Sequence, residues 1–178
     1  MKKVLILSSS PRRGGNSDTL CDDLLRGARD AGHEAEKIFL RDLRIGCCNG
    51  CGACSRLGLP CPQRDDAAAV IDKMVRADAI VLATPVYFYT MSAQLKTLID
   101  RCCSRYTEMR DKEFCFLVTA AEENRTKMLR TVDSMRGFLD CLDRPKERGT
   151  VFGLGVWHAG EIERHPARRE AYELGRAL

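Results

Sequence analysis

Residues 47–62 read CCNGCGACSRLGLPCP, with Cys48, Cys51 and Cys54 at intervals of three and Cys61 just before Pro62. Three thiolates so spaced on a tight loop can hold three corners of a cubane iron–sulfur cluster, and a more distant fourth completes the set. Gly50 and Gly52 relieve crowding between the sulfurs and leave backbone N–H groups free to reach them. Zinc more often takes two well-separated C-x2-C pairs, or cysteine with histidine, and His33 is the only histidine nearby in sequence. A cluster on Cys48, Cys51, Cys54 and Cys61 is therefore the leading expectation. Free or redox-active thiols, zinc and simple packing stay open, and Cys47 offers a second register for the first ligand.

Two further stretches carry binding chemistry. SSSPRRGGNSD (8–18) follows an apolar run and precedes a helical pattern. A helix N-terminus there offers unpaired backbone N–H groups and the positive end of the helix dipole, which together favour a phosphate. Gly14 and Gly15 permit close backbone approach, Ser9, Ser10, Asn16 and Ser17 supply short donors, and Arg12 or Arg13 can neutralise the charge. The plainer alternative is a glycine-rich turn with Asn16 or Ser17 capping the helix. The stretch matches neither a Walker loop nor a G-x-G-x-x-G fingerprint, and it holds no cysteine for a thiol phosphatase. TPVYFYTMSAQLK (84–96) sets Tyr87, Phe88 and Tyr89 in a row after the rigid Pro85. Three consecutive aromatics cannot all face one side of a strand. They are expected to flank a planar ring or to meet another subunit, with the N–H groups from Val86 to Tyr89 turned to the ring's polar edge.

Positioning these residues requires a scaffold. Strand signals at 3–8, 34–40, 78–85, 113–120 and 150–157 alternate with helical patterns. The helices are expected at 17–31, from Asp65 or Asp66 to about 76, from Ser92 to about 103, from about 123 to 142, and from near Pro166 onward. The alternation predicts an α/β fold, a doubly wound five-stranded parallel sheet of order 2-1-3-4-5 with helices on both faces. In that order the ligand crevice lies at the carboxyl ends of strands one and three, which nominates loops 8–17, 85–92 and 120–123. A monophosphate ligand at this place in this fold points to FMN. Cys21, Cys102, Cys103, Cys115 and Cys141 fall within the expected helices or strands and read as small core residues.

SSPRRGGNS, the spaced cysteines and TPVYFYTMSAQLKTLIDR together resemble the NADPH-dependent FMN reductase group of flavodoxin-like proteins, and within it the iron–sulfur flavoprotein branch. The resemblance extends more weakly through GLGVWHAGE (153–161). It implies phosphate contacts from Ser10, Arg12, Asn16 and Ser17, ring contacts from Pro85, Val86, Tyr87, Phe88 and Tyr89, and a third loop at Ala120, Ala121 and Glu122. Ser8 and Ser9 stand where that group often has a glycine, and TAAEEN lacks the glycines of simple FMN reductases. The resemblance further implies a 4Fe–4S cluster on the compact run, NAD(P)H or ferredoxin as electron donor, and a homodimer or homotetramer with flavin sites near the interface. The run would then be a second redox centre beside the flavin. Flavin chemistry asks no side chain to act as a strong acid or base, so no catalytic residue is nominated.

The chain has 178 residues, 44% hydrophobic and 30% charged, with a net charge of +4. That balance predicts one ordinary globular domain over 1–178, carrying a cysteine-rich loop at 47–62. The mild, dispersed charge argues against nucleic acid. The apolar run VLIL is too short for a signal peptide, and no stretch is long enough to span a membrane. A cytoplasmic protein with no membrane partner is expected. Two other functions remain on this scaffold. A non-catalytic electron carrier would usually be acidic, which the slight positive charge opposes. A thiol- or metal-binding sensor would need only the cysteine run.

Overall fold

VLIL and AIVLA are apolar at every position, which suits strands buried on both faces of a parallel sheet. The computed structural model describes residues 1–178. In it, β1 (Lys3–Ser8), β2 (Glu34–Phe39), β3 (Ala79–Pro85), β4 (Glu113–Ala120) and β5 (Lys146–Leu154) form one parallel sheet of order β2-β1-β3-β4-β5. The expected order therefore holds. Alternate residues feed two cores. Leu5, Leu7, Ile80, Leu82, Phe114 and Phe116 face one side, and Val4, Ile6, Val81 and Leu117 face the other.

Helices α1 (Asn16–Asp30), α2 (Ala53–Leu57), α3 (Ala67–Arg76), α4 (Ala93–Arg101), α5 (Arg125–Leu139) and α6 (Ala167–Arg176) connect and cover the strands. Val70, Ile71 and Met74 of α3, Leu95 and Leu98 of α4, and Val132 and Met135 of α5 close the first core. Leu20 and Leu24 of α1 with Ala167 and Ala171 of α6 close the second. α1 and α6 touch backbone to backbone. A Cβ on Gly27 would lie 2.0 Å from the Tyr172 carbonyl oxygen, and one on Gly175 would lie 2.2 Å from that of Leu24.

The structure revises several boundaries. β5 begins at Lys146 because Lys146 and Glu147 pair with Glu113 and Phe114 ahead of a register irregularity. Such polar residues carry no strand periodicity in sequence. β5 stops at Leu154 as Gly155 turns away with φ +72°. α5 starts later than expected because the Asn124 side chain caps it, accepting from the Thr126 N–H at 3.0 Å. Ser92 caps α4 as expected. The short α2 inside the cysteine run was not expected.

Cys21, Cys102 and Cys115 are buried, and burial pushes each thiol up to about 12. Cys103 and Cys141 are exposed, contrary to the core reading. Beyond the ends of α4 and α5 it is Cys102 and Leu142 that turn inward, which leaves Cys103 and Cys141 outside.

Candidate functional site

A cavity of about 340 Å³ opens where β1, β3 and β4 end, at the switch point of the sheet, the usual place for a ligand in such folds. Ser10, Arg12, Asn16 and Ser17 line one wall. Gly15 precedes α1 and no side chain caps that helix. The Asn16, Ser17 and Asp18 N–H groups donate to nothing within the chain. A first turn with free N–H groups at a cavity wall is suited to an oxyanion.

The loop is built to hold that shape. Asp18 accepts from the Gly14 N–H at 3.0 Å and from Ser8 Oγ at 3.2 Å, and Lys37 Nζ neutralises it at 2.8 Å. Ser10 Oγ donates to the Arg12 carbonyl and accepts from the Arg12 N–H. Asn16 bridges to the exit of β5, donating to the His158 carbonyl at 2.9 Å and accepting from the Ile162 N–H. Ser17 and Thr119 share a hydroxyl contact at 2.5 Å. Arg12 reaches the Trp157 carbonyl at 3.2 Å, whereas Arg13 pairs with Asp42 and covers the Phe39 ring. Of the two arginines, only Arg12 faces the cavity.

Ser9 is a correction. It does not line the cavity. Its hydroxyl donates to the Ala83 carbonyl at 2.7 Å and accepts from Ser92 Oγ at 2.8 Å, which ties β1 to β3 and to the start of α4.

Pro85, Val86, Tyr87, Phe88 and Tyr89 form the opposite wall. Tyr87 and Thr90 exchange backbone hydrogen bonds at 3.0 and 3.1 Å, while Phe88 and Tyr89 have φ of 49° and 62°. This is a type I′ turn, whose central positions favour Asn-Gly because both need positive φ. Two bulky aromatics held there are strained, a condition that clusters at functional sites. The Val86 N–H is already given to the Thr119 carbonyl at 2.8 Å and the Tyr87 N–H to Thr90. Only the Phe88 and Tyr89 N–H groups remain free for a ligand, half of the expected set. Phe88 is fully exposed at the rim.

Ala120, Ala121 and Glu122 line the third side. Lys127 at 2.8 Å, with the Asn124 N–H, holds the Glu122 carboxyl below its ordinary range. Trp157, Thr119 and Met128 also reach the cavity. Sequence reasoning missed these three. Glu161 fixes the Trp157 segment by accepting from the Trp157 and His158 N–H groups at 2.6 and 2.9 Å, and those bonds hold its carboxyl low.

The cysteine run lies elsewhere. None of the ten cysteines lines the cavity. Cys47 sits 3.8 Å from Thr97 of α4, and Cys61 Sγ accepts from Arg101 Nη2 at 3.4 Å. The thiol of Cys103, just beyond α4, is pushed up by burial and by the adjacent Cys54 and Cys48 sulfurs. A helix advances about 1.5 Å per residue. The run therefore descends α4 to the end away from Ser92, which meets Ser9 at the cavity side. Within one chain the run thus lies along α4 and contributes no residue to the cavity wall. Cys54 and Cys48 lie beside Cys103, and Cys61 turns to Arg101.

Residues 2–158 match the family described as NADPH-dependent FMN reductase. The chain belongs to this family. An iron-sulfur flavoprotein of Archaeoglobus fulgidus is 42% identical over 101 residues, 57% of this chain and 45% of that protein. An iron-sulfur flavoprotein of Methanocaldococcus jannaschii is 43% identical over 99 residues, 56% and 51% of the two chains. The chain spans about half the length of these curated relatives. Among solved structures, the NAD(P)H:quinone oxidoreductase from Methanothermobacter marburgensis superposes with a TM-score of 0.75 at 21% identity, over 99% of this chain and 96% of the other. That likeness bears on the fold.

For an FMN reductase family member, the cavity fits the flavin cofactor in kind: free N–H groups and Arg12 for a phosphate, and aromatic side chains for a ring. The cysteine run fits a cluster in donor chemistry, with accessible thiols, none in a disulfide, around Gly50 and Gly52 at positive φ. Trp157 was missed because the nominated loops follow strands one, three and four, and because the strand expected at 150–157 absorbed Trp157, whereas β5 ends at Leu154. Its signals in sequence were a lone tryptophan among glycines and its place within GLGVWHAGE.

Proposed function

We propose that the protein is an FMN-dependent NAD(P)H oxidoreductase of the iron–sulfur flavoprotein type. The observation that carries this is the meeting, in one cavity, of the uncapped α1 N-terminus, the strained aromatic turn and the Ala120–Glu122 loop. In this reading the Asn16, Ser17 and Asp18 N–H groups, with Arg12 and Ser10, bind the phosphate. Pro85 to Tyr89 flank the ring, the Phe88 and Tyr89 N–H groups orient its polar edge, and Ala120 to Glu122 bound the side where a nicotinamide approaches. Bound FMN supplies hydride acceptance and one- or two-electron release. The protein's part is to orient the ring and to keep water from it with Trp157 and the aromatic turn.

The cysteine run, on Cys48, Cys51, Cys54 and Cys61, would hold a 4Fe–4S cluster. The relatives' names support that reading. Because the run lies along α4, away from the cavity of its own chain, exchange of electrons between the two sites favours a homodimer or homotetramer. Ferredoxin is the natural one-electron partner. The protein has no helix long and apolar enough to cross a membrane.

The test is anaerobic purification followed by NADPH addition. A yellow chromophore that bleaches with NADPH is the expected outcome; bound flavin that NADPH leaves oxidised, but a one-electron carrier reduces, would move the protein to the carrier class. Absence of bound flavin after reconstitution would exclude both.

A further inference from the structure

Arg101 closes α4 with a side chain only 2% exposed. Its Nη1 donates to Asp65 Oδ2 at 2.6 Å and to the Gly46 carbonyl at 2.9 Å, and its Nη2 donates to Asp65 Oδ1 at 3.1 Å and to Cys61 Sγ at 3.4 Å. Around this fork the two ends of the cysteine loop are laced together. The Gly46 N–H donates to Asp65 Oδ2 at 2.9 Å, and Gln63 Nε2 donates to the Cys47 carbonyl at 3.1 Å. One cation thus joins residues before the first cysteine of the run to the last.

One further observation and one property of arginine bear on what this guanidinium does. Its Nε is buried with no acceptor, a cost that native proteins rarely carry without a reason. Every partner of its two terminal nitrogens lies in the segment from Gly46 to Asp65. The fork geometry is also specific to arginine, since a lysine ammonium cannot address a carboxylate, a carbonyl and a sulfur from one rigid plane.

We propose that Arg101 is the positioning residue of the cysteine loop: its buried fork clasps both ends of the loop to α4 and presents the Cys61 sulfur, by a direct N–H···S hydrogen bond, to an iron–sulfur cluster. The inference rests on the reading that Cys48, Cys51, Cys54 and Cys61 are the cluster ligands. Hydrogen bonds to ligand sulfurs are among the levers that set cluster potential. Loss of such an outer partner weakens metal binding by about 10- to 100-fold.

Arg101→Lys keeps the charge and removes the fork, and Asp65→Asn removes the counter-charge. Three quantities are measured in each: deuterium uptake over residues 44–67 in the metal-free protein, iron and sulfide retained against a chelator after anaerobic reconstitution, and the midpoint potential of the retained cluster. Bound FMN serves as the control for the fold. Expected are wild-type FMN content, faster uptake across the loop, iron held about 10- to 100-fold less tightly, and a more negative potential in Arg101→Lys. Unchanged uptake in both variants overturns the clasp, and so does loss of FMN, because Arg101 touches no residue of the flavin cavity. Faster uptake with wild-type iron affinity and potential overturns the role toward the cluster. Faster uptake in a protein whose wild type takes no iron leaves the clasp standing and overturns the cluster reading itself.

Discussion

Arg12 stands at the cavity wall with its guanidinium fastened to the Trp157 carbonyl, the one arginine of its pair that a bound anion can reach. A hydrogen bond to a charged group contributes about 1.5–3 kcal/mol. Arg12→Ala is therefore expected to weaken FMN by roughly 10- to 100-fold in a fluorescence titration, while Arg13→Ala leaves it near wild type because Arg13 serves Asp42. Phe88 makes a different case. A non-glycine residue in the left-handed region costs about 1–2 kcal/mol, and asparagine tolerates it best. Phe88→Asn is expected to raise unfolding stability by about 0.5–1 kcal/mol in denaturant titration and to weaken flavin binding. A variant that loses both stability and flavin affinity would show that the turn is held by packing rather than retained for the ligand.

At the scale of elements, the α1–α6 pair depends on two glycines. Added methyl groups at Gly27 or Gly175 would sit within the carbonyl oxygens of the facing helix, so the helices must separate. Gly27→Ala or Gly175→Ala should cost about 2–3 kcal/mol, within the usual range for overpacking, read from the denaturation midpoint at constant slope. The loop clasp predicts a pH effect. Burial alone would raise the Asp65 carboxyl, but the Arg101 fork and the Gly46 and Ala67 N–H groups outweigh it and hold the group below its ordinary value. A folded pKa lower than the unfolded one contributes stability that is complete above the unfolded value, about 3.9, and is lost as pH falls through the folded value. The stability gap between wild type and Asp65→Asn should be constant near neutrality and shrink below about pH 4. A gap that stays constant into that acid range would show that Asp65 acts through shape rather than charge.

For the whole molecule, the cavity exists only because loops from β1, β3, β4 and β5 arrive at one edge of the sheet. Its rim is apolar. Phe88 is fully exposed, Trp157 is 67% exposed, and Tyr87 and Tyr89 are partly so. Contiguous exposed aromatics of this kind mark interaction surfaces. The protein is expected to sediment as a homodimer or homotetramer, and Phe88→Asp to shift it toward monomer in analytical ultracentrifugation. A wild-type monomer at working concentration would remove the assembly and, with it, the route between the cysteine run and a neighbouring cavity.

The sheet order, both covered faces and three walls of the cavity were legible in the chain because they rest on local signals. Apolar runs such as VLIL and AIVLA declare buried strands, Ser92 declares a helix start, and the topology of alternating elements dictates where their loops meet. What the tertiary structure alone decided depends on partners distant in sequence. Ser9 is spent on Ala83 and Ser92, Val86 on Thr119, and Trp157 reaches the cavity from the far strand. Cys61 turns to Arg101, forty residues on. Cys103 leaves the core to face Cys54. Residue type and spacing say which groups can bind phosphate or metal; only the packed chain says which of them are already bound to each other.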